Sequence, residues 1–413
     1  MATGYRLFGT ETSPFSIKVR SYLRYKKLPF VWVPKGFGTD EEFQTLARSD
    51  ALPMLVSPNG GISHDSSLIL SKIEAARATP SATPDDPACC ALSLLLEDYA
   101  DEWLNKAMFH YRWGSTKSAK VAAKRQAAQI FSGYDVEGLA DIEKSIAKSM
   151  SGRLKLVGLS KKNGEIVEKS FERFIKLLNA HLEHHLFLFG GHPSRADFAL
   201  AGQLIQLVMD EASGDFIREN APFVFAWCEF MEDPRPGAPF ESFESVKDTL
   251  LPLIRDEVTG TYISWALANE ASISKKRKTS EADIKGEAFK QNVQHHTARS
   301  FAGVKDAFAA TPADPAFLTF LEEAGLADVF AVGTAVPEPQ EDTSTGDGDQ
   351  EQSGDTTSDT PKDEKPKRKS RSRRRSRKPK ADQNSDAATP AADGNDSPNT
   401  ASDAPPKAED SSD

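Results

Sequence analysis

Cysteine is scarce: the chain has three in 413 residues, Cys89, Cys90 and Cys228. That is too few for a disulfide framework, adjacent Cys89 and Cys90 are poorly placed to bridge each other, and there is no CxxC pair. A soluble, reducing, cytoplasmic setting is expected. No apolar run approaches the roughly 20 residues that cross a bilayer, which excludes a transmembrane helix. The opening Met1-Ala2-Thr3-Gly4-Tyr5-Arg6 lacks a basic stretch followed by a long apolar one, which argues against a secretory signal. The largest absence lies at the far end. Residues 337–413 contain no Val, Ile, Leu, Met, Phe, Trp, Tyr or Cys, and only eight Ala. Such a segment buries too little apolar surface to offset its ordering entropy, so residues 336–413 are expected to be disordered. The remainder is about 44% hydrophobic, ordinary for a globular chain of two domains.

Charge divides in the same way. The formal net charge of −10 hides a block, Lys362–Lys380, with 12 basic and two acidic residues. It has no aromatic residue to stack on bases. Any polyanion binding there would be weak, electrostatic and salt-sensitive, and the alternative is a solvated tail lying on its own acidic flanks.

Residues 1–79 alternate strand and helix signals. Tyr5–Gly9 and Pro29–Val33 are predicted strands, and Pro53–Val56 with Gly61–Ser63 form a hairpin around Ser57-Pro58-Asn59-Gly60. Helices are predicted from Pro14 to about Lys27, near Glu41–Arg48 and over Ser66–Ala76. The order β-α-β-α-β-β-α makes an α/β domain with a mixed sheet. A Pro/Ser/Asp-rich linker spans 80–87. Residues 88–240 carry helical periodicity throughout and are predicted to form an all-α bundle. Residues 241–335 read as a mostly helical extension with a small hairpin near Ala282–Phe289.

Three short segments carry chemistry. Ser13-Pro14-Phe15-Ser16 stands where a strand runs into a helix N-terminus, whose free N–H groups and dipole favour an anion. A hydroxyl there either caps the helix or also donates to a bound thiolate, lowering the thiol pKa from about 8.5 toward neutrality. Leu52-Pro53 opens a strand with a proline, which suggests an edge position or a cis bond. The Leu52 backbone is then placed to pair with an extended peptide. Asp65-Ser66 opens the third helix, as an ordinary cap or as a holder of a ligand's carboxylate and amine.

Taken in order, Ser13-Pro14-Phe15-Ser16-Ile17-Lys18-Val19-Arg20, Leu52-Pro53-Met54-Leu55 and Asp65-Ser66-Ser67-Leu68-Ile69 resemble the thioredoxin-like N-terminal domain of the glutathione S-transferase superfamily. Phe189-Gly190-Gly191-His192-Pro193-Ser194-Arg195-Ala196-Asp197-Phe198-Ala199-Leu200 resembles the segment of its helical domain in which Ser194 and Asp197 form a capping box. The resemblance implies glutathione as co-substrate, a hydrophobic electrophile as second substrate, and a homodimer. It implies Ser13 as the catalytic group. It further implies that Phe15, Leu52, cis-Pro53, Asp65 and Ser66 bind glutathione, with Lys35 near the glycyl carboxylate. Tyr99, Trp103, Phe109 and Trp113, on the first helix of the second domain, are the candidate electrophile pocket. The stretch Asp98–Trp113 also resembles a subgroup of bacterial transferase-like proteins with an extended C-terminal region, to which Tyr262–Gln294 is loosely similar. A glutaredoxin-like reductase is disfavoured, because Ser13 and Ser16 stand where a thiol pair would be needed. His181, His184 and His185 share one helix face. No Cys or carboxylate set completes a metal site with them, so no metal is expected. A non-catalytic glutathione-binding module of the same fold is the alternative, and a polyanion-associated protein driven by the tail is a third reading.

Overall fold

The structure is a computed structural model that describes residues 4–47 and 50–334. The tail expected to be disordered and its basic block lie outside the described residues. A four-stranded sheet is built from β1 (Tyr5–Gly9), β2 (Phe30–Pro34), β3 (Met54–Val56) and β4 (Ile62–His64), in the order β2-β1-β3-β4. β2 is parallel to β1, while β3 is antiparallel to both β1 and β4. Pro53 therefore precedes an interior strand rather than an edge strand. Of the two expectations for Leu52-Pro53 the cis bond is the one found.

Strand alternation puts successive side chains on opposite faces. Leu7 and Leu55 face the main core with α1 (Pro14–Tyr25) and α3 (Ser66–Ala76). Phe8, Val33 and Met54 close a smaller cluster over Phe43 of α2 (Asp40–Leu46).

The helical part begins with α4 (Pro87–Tyr99), continues through a π-helical turn at Ala100–Leu104 and ends as α5 (Asn105–Trp113). Then come α6 (Thr116–Ile130), α7 (Leu139–Gly152), α8 (Lys161–Leu182), α9 (Arg195–Met209), α10 (Glu211–Asn220) and α11 (Pro222–Phe230). Helix α9 lies directly on α1. A Cβ at Gly202 would stand 2.5 Å from the Pro14 carbonyl oxygen, so only glycine permits this approach. At its start, the Ser194 backbone N–H and hydroxyl donate to Asp197 Oδ2 at 2.8 and 2.7 Å, and Leu188 N–H donates to Oδ1 at 3.0 Å. This is the expected capping box, fully buried.

The extension starts with α12 (Phe243–Leu253), passes through a π-helical stretch and continues as α13 (Ser264–Ser274). A hairpin of β5 (Thr279–Ile284) and β6 (Glu287–Asn292) turns at Lys285-Gly286, both at positive φ as a two-residue hairpin turn requires. Helices α14 (His295–Ala310) and α15 (Pro315–Glu323) follow. No described helix is long and apolar enough to cross a membrane.

Candidate functional site

A cavity of about 900 Å³ opens where the sheet domain, the α4–α5 helix and the extension meet. Phe15, Leu52, Asp65 and Ser66 line its sheet side. Asp65 caps α3, its Oδ1 accepting from Leu68 N–H at 3.1 Å. Its backbone stands at φ 72° and ψ 118°, a strained conformation for a residue with a side chain. Helix α3 leaves its first N–H groups, beside Ser66, without intrahelical partners, as every helix start does.

The facing wall is polar. Asp98, Asp101, Glu102 and Asn105 recur at helical spacing, and Lys106 follows; all five line the cavity. The π-helical turn lies among them, an irregularity often found at functional sites. Asp101 Oδ2 accepts from Lys18 Nζ at 2.7 Å, and Lys18 also donates to Glu97 Oε1 at 2.8 Å and to Ser67 at 2.9 Å. Burial alone would lower the Lys18 pKa, but Asp101 and Glu97 together raise it. Arg195 adds a second cation on Glu97, with Nε 2.7 Å from Oε2. Burial pushes Asp101 up to about 6 despite Lys18, and Asp98 up to about 7 despite the Tyr262 hydroxyl that donates to it. Asp101 Oδ1, Asn105 Oδ1 and His64 Nε2 are buried without a hydrogen-bond partner among the described residues, and all three residues line the cavity.

The extension closes the remaining side with Trp265, Gln294, His296 and Arg299. His296 Nδ1 is 3.1 Å from Glu102 Oε1, and its hydrogen bonds to Asp65 and Glu102 raise its pKa to about 10. The imidazole is therefore a cation at neutral pH, with Thr297 also donating to Glu102.

The structure gathers Phe15, Leu52, Asp65 and Ser66 into one cavity and separates the other candidates. Ser13 caps α1, its Oγ accepting from Ser16 N–H at 3.2 Å, and is not among the residues lining this cavity. Lys35 lines a second cavity of about 410 Å³ with Thr10, Glu11 and Trp32. Its Nζ stands 3.8 and 3.7 Å from Asp40 and Asp50.

Tyr99, Trp103 and Trp113 are buried in the core, Phe109 packs against it, and none of the four lines the cavity. The aromatic and polar stripes alternate on one helix. Burying large rings gains more than burying carboxylates, so the rings turn inward and the acids face the cavity. Spacing gave the signal for Asp98, Asp101, Glu102 and Asn105, which sequence reasoning passed over in favour of the aromatic residues between them. His181 is buried, its Nε2–H donating to the Leu188 carbonyl at 3.0 Å and its Nδ1 standing 2.9 Å from the Thr249 hydroxyl, and burial pushes its pKa down to about 3. Among the described residues no three His, Cys, Asp or Glu side chains stand together as a metal site.

The family model for the glutathione S-transferase N-terminal domain matches residues 7–81, and that for the C-terminal domain matches residues 138–230. No curated protein matches the chain. Among solved structures, the β-etherase LigF from Sphingobium sp. strain SYK-6 is 17% identical. That match covers 60% of this chain and 98% of LigF, at a TM-score of 0.39. A glutathione S-transferase from Rhodospirillum rubrum F11 is 20% identical over 60% of this chain and 91% of its own, at a TM-score of 0.37. A glutathione transferase family member from Pseudomonas fluorescens Pf-5, solved with two glutathione bound, is 16% identical over 56% and 90%, at a TM-score of 0.36. The two domain matches fall in order along the chain, one on the sheet domain and one on the helical domain: residues 7–81 and 138–230 carry the N- and C-terminal domains of the glutathione S-transferase superfamily.

Proposed function

We propose that the chain binds glutathione in the 900 Å³ cavity and activates its thiolate for attack on an electrophilic small molecule. The observation that carries this reading is the convergence of Phe15, Leu52 and the Asp65-Ser66 pair, from three separate segments, on one side of the cavity. The Leu52 backbone pairs with the cysteinyl unit, and Ser66 with the start of α3 receives the γ-glutamyl carboxylate. The γ-glutamyl ammonium meets Asp65 and the unpartnered Asp101 Oδ1. Ser13 and the N-terminal dipole of α1 stabilise the thiolate. The sulfur forms a bond to the electrophilic carbon, and with an aryl halide the halide ion leaves.

The test is retention on immobilised glutathione together with turnover of 1-chloro-2,4-dinitrobenzene. Ser13→Ala should keep retention and lose most turnover; full turnover in that variant would remove Ser13 from the mechanism. Failure to retain glutathione would end the proposal.

Two observations favour a second reading, a non-catalytic module of the same fold. Asp65 already holds a cation in His296, and Ser13, which caps α1, does not line the cavity. Retention without turnover is the outcome that selects it.

A further inference from the structure

The extension side of the cavity holds two hydrogen-bond donors that the fold leaves without good acceptors. The first is Lys106. Its side chain is 4% exposed, and its one hydrogen bond runs to the Val157 carbonyl at 3.4 Å, long for an ammonium. The ammonium sits 4.0 Å from the Trp265 ring centroid, a favourable but undirected contact. Burial pushes its pKa down to about 8, against the attraction of Glu102, and it stays charged at neutral pH. The second is the Trp265 indole N–H, buried and without a partner among the described residues. Both residues line the cavity.

The acids on the same wall do not fill this need. Glu102 is taken by His296 and Thr297, Asp101 Oδ2 by Lys18 and Ser67, and Asp98 by Tyr262, while the unpartnered Asp101 Oδ1 makes no ion pair with Lys106. A buried ammonium with no carboxylate in contact, next to an unpartnered N–H, calls for an anion with two acceptor oxygens. Arg299, exposed on the same cavity, adds positive charge on this side. The adjoining Leu156 and Val157 supply apolar surface for the body of such a ligand.

We infer that Lys106 and Trp265 form a carboxylate-binding subsite, and that the second substrate of this chain is an electrophile with an apolar body and a carboxylate group. Its identification as the electrophile's end of the cavity rests on the glutathione reading above. The subsite itself does not.

The experiment titrates the full chain at pH 7, without glutathione, with 4-chloro-3-nitrobenzoate and with its methyl ester, following quenching of tryptophan fluorescence. The wild type should bind the carboxylate roughly 10- to 100-fold more tightly than the ester, the range expected of one charge-assisted contact. Lys106→Met should erase that preference and leave the ester's affinity unchanged, and Lys106→Arg should retain most of it. Equal affinities in the wild type, a measurement that needs no variant, would overturn the proposal, as would an undiminished preference in Lys106→Met. A second arm adds glutathione and compares conjugation of the two aryl chlorides, where the same preference should appear in kcat/KM. Carboxylate preference without glutathione retention supports the subsite and refutes the glutathione reading. Retention and turnover with no carboxylate preference do the reverse.

Discussion

His296 Nε2 lies 3.7 Å from Asp65 Oδ2, so the extension places a cation on the carboxylate that opens α3. In the proposed complex the γ-glutamyl ammonium competes for that same oxygen. Replacing His296 by Asn removes the competitor and should tighten glutathione binding by about 2- to 5-fold, the span of a partly exposed charge pair. Isothermal titration of both proteins at pH 7 measures it. Weaker binding in the variant would mean that His296 orders Asp65 rather than competing for it.

The same pair has a pH signature. The His296 pKa is about 10 in the fold and near 6.5 when unfolded, so its contribution to stability is complete below pH 6.5 and is lost as pH rises through 10. With its side chain 61% exposed, solvent screening holds that contribution to under about 1 kcal/mol. The stability difference between wild type and His296→Asn in urea should therefore shrink from pH 6 to pH 10.

Asp98 behaves in the opposite sense to most native carboxylates. Burial raises it to about 7, so its ionisation costs stability as pH climbs from the unfolded pKa near 4 to 7. Asp98→Asn has no charge to desolvate and still accepts from Tyr262. Relative to wild type it should gain about 2 kcal/mol between pH 5 and pH 7, read from urea midpoints at the two values.

Lys18 holds two carboxylates at once. Lys18→Met leaves Asp101 buried beside Glu97 with no cation of its own, and should cost about 3 to 5 kcal/mol at pH 7. The loss should be smaller at pH 5, where Asp101 takes up a proton. Thermal melts at both pH values check the pair of statements, and equal losses would assign the effect to packing.

Ser13→Ala tests structure and chemistry together. Loss of the α1 cap should cost about 1 kcal/mol, whatever the fate of turnover. A stability change with intact conjugation of 1-chloro-2,4-dinitrobenzene leaves Ser13 as a cap alone.

The parts of the fold that were legible in the sequence are those set by neighbours in the chain. Pro14 after Ser13, Asp65 before Ser66 and Ser194 three residues ahead of Asp197 are local capping signals, and the structure has helix starts at all three. The succession of strands and helices in the first domain followed from alternation in short segments, whereas the order of the strands within the sheet did not. The cavity's far wall was not legible, because it depends on contacts across more than a hundred residues. Asp98, Asp101 and Glu102 look like an ordinary solvated stripe until Tyr262 and His296 arrive opposite them. Lys106 looks like a surface lysine until Trp265 lies against it. Nothing within a helical window distinguishes a stripe that meets water from one that meets another part of the same chain.

The matched family domains end at residue 230, while Trp265, Gln294, His296 and Arg299 all stand beyond that point. A fragment trimmed to the family boundary would keep the caps, the sheet and the Leu52 backbone. It would lose the cavity wall that the extension supplies, leaving Asp98 and Glu102 bare to water and Lys106 stripped of its aromatic neighbour. Ligand preferences measured on such a fragment would describe a different molecule.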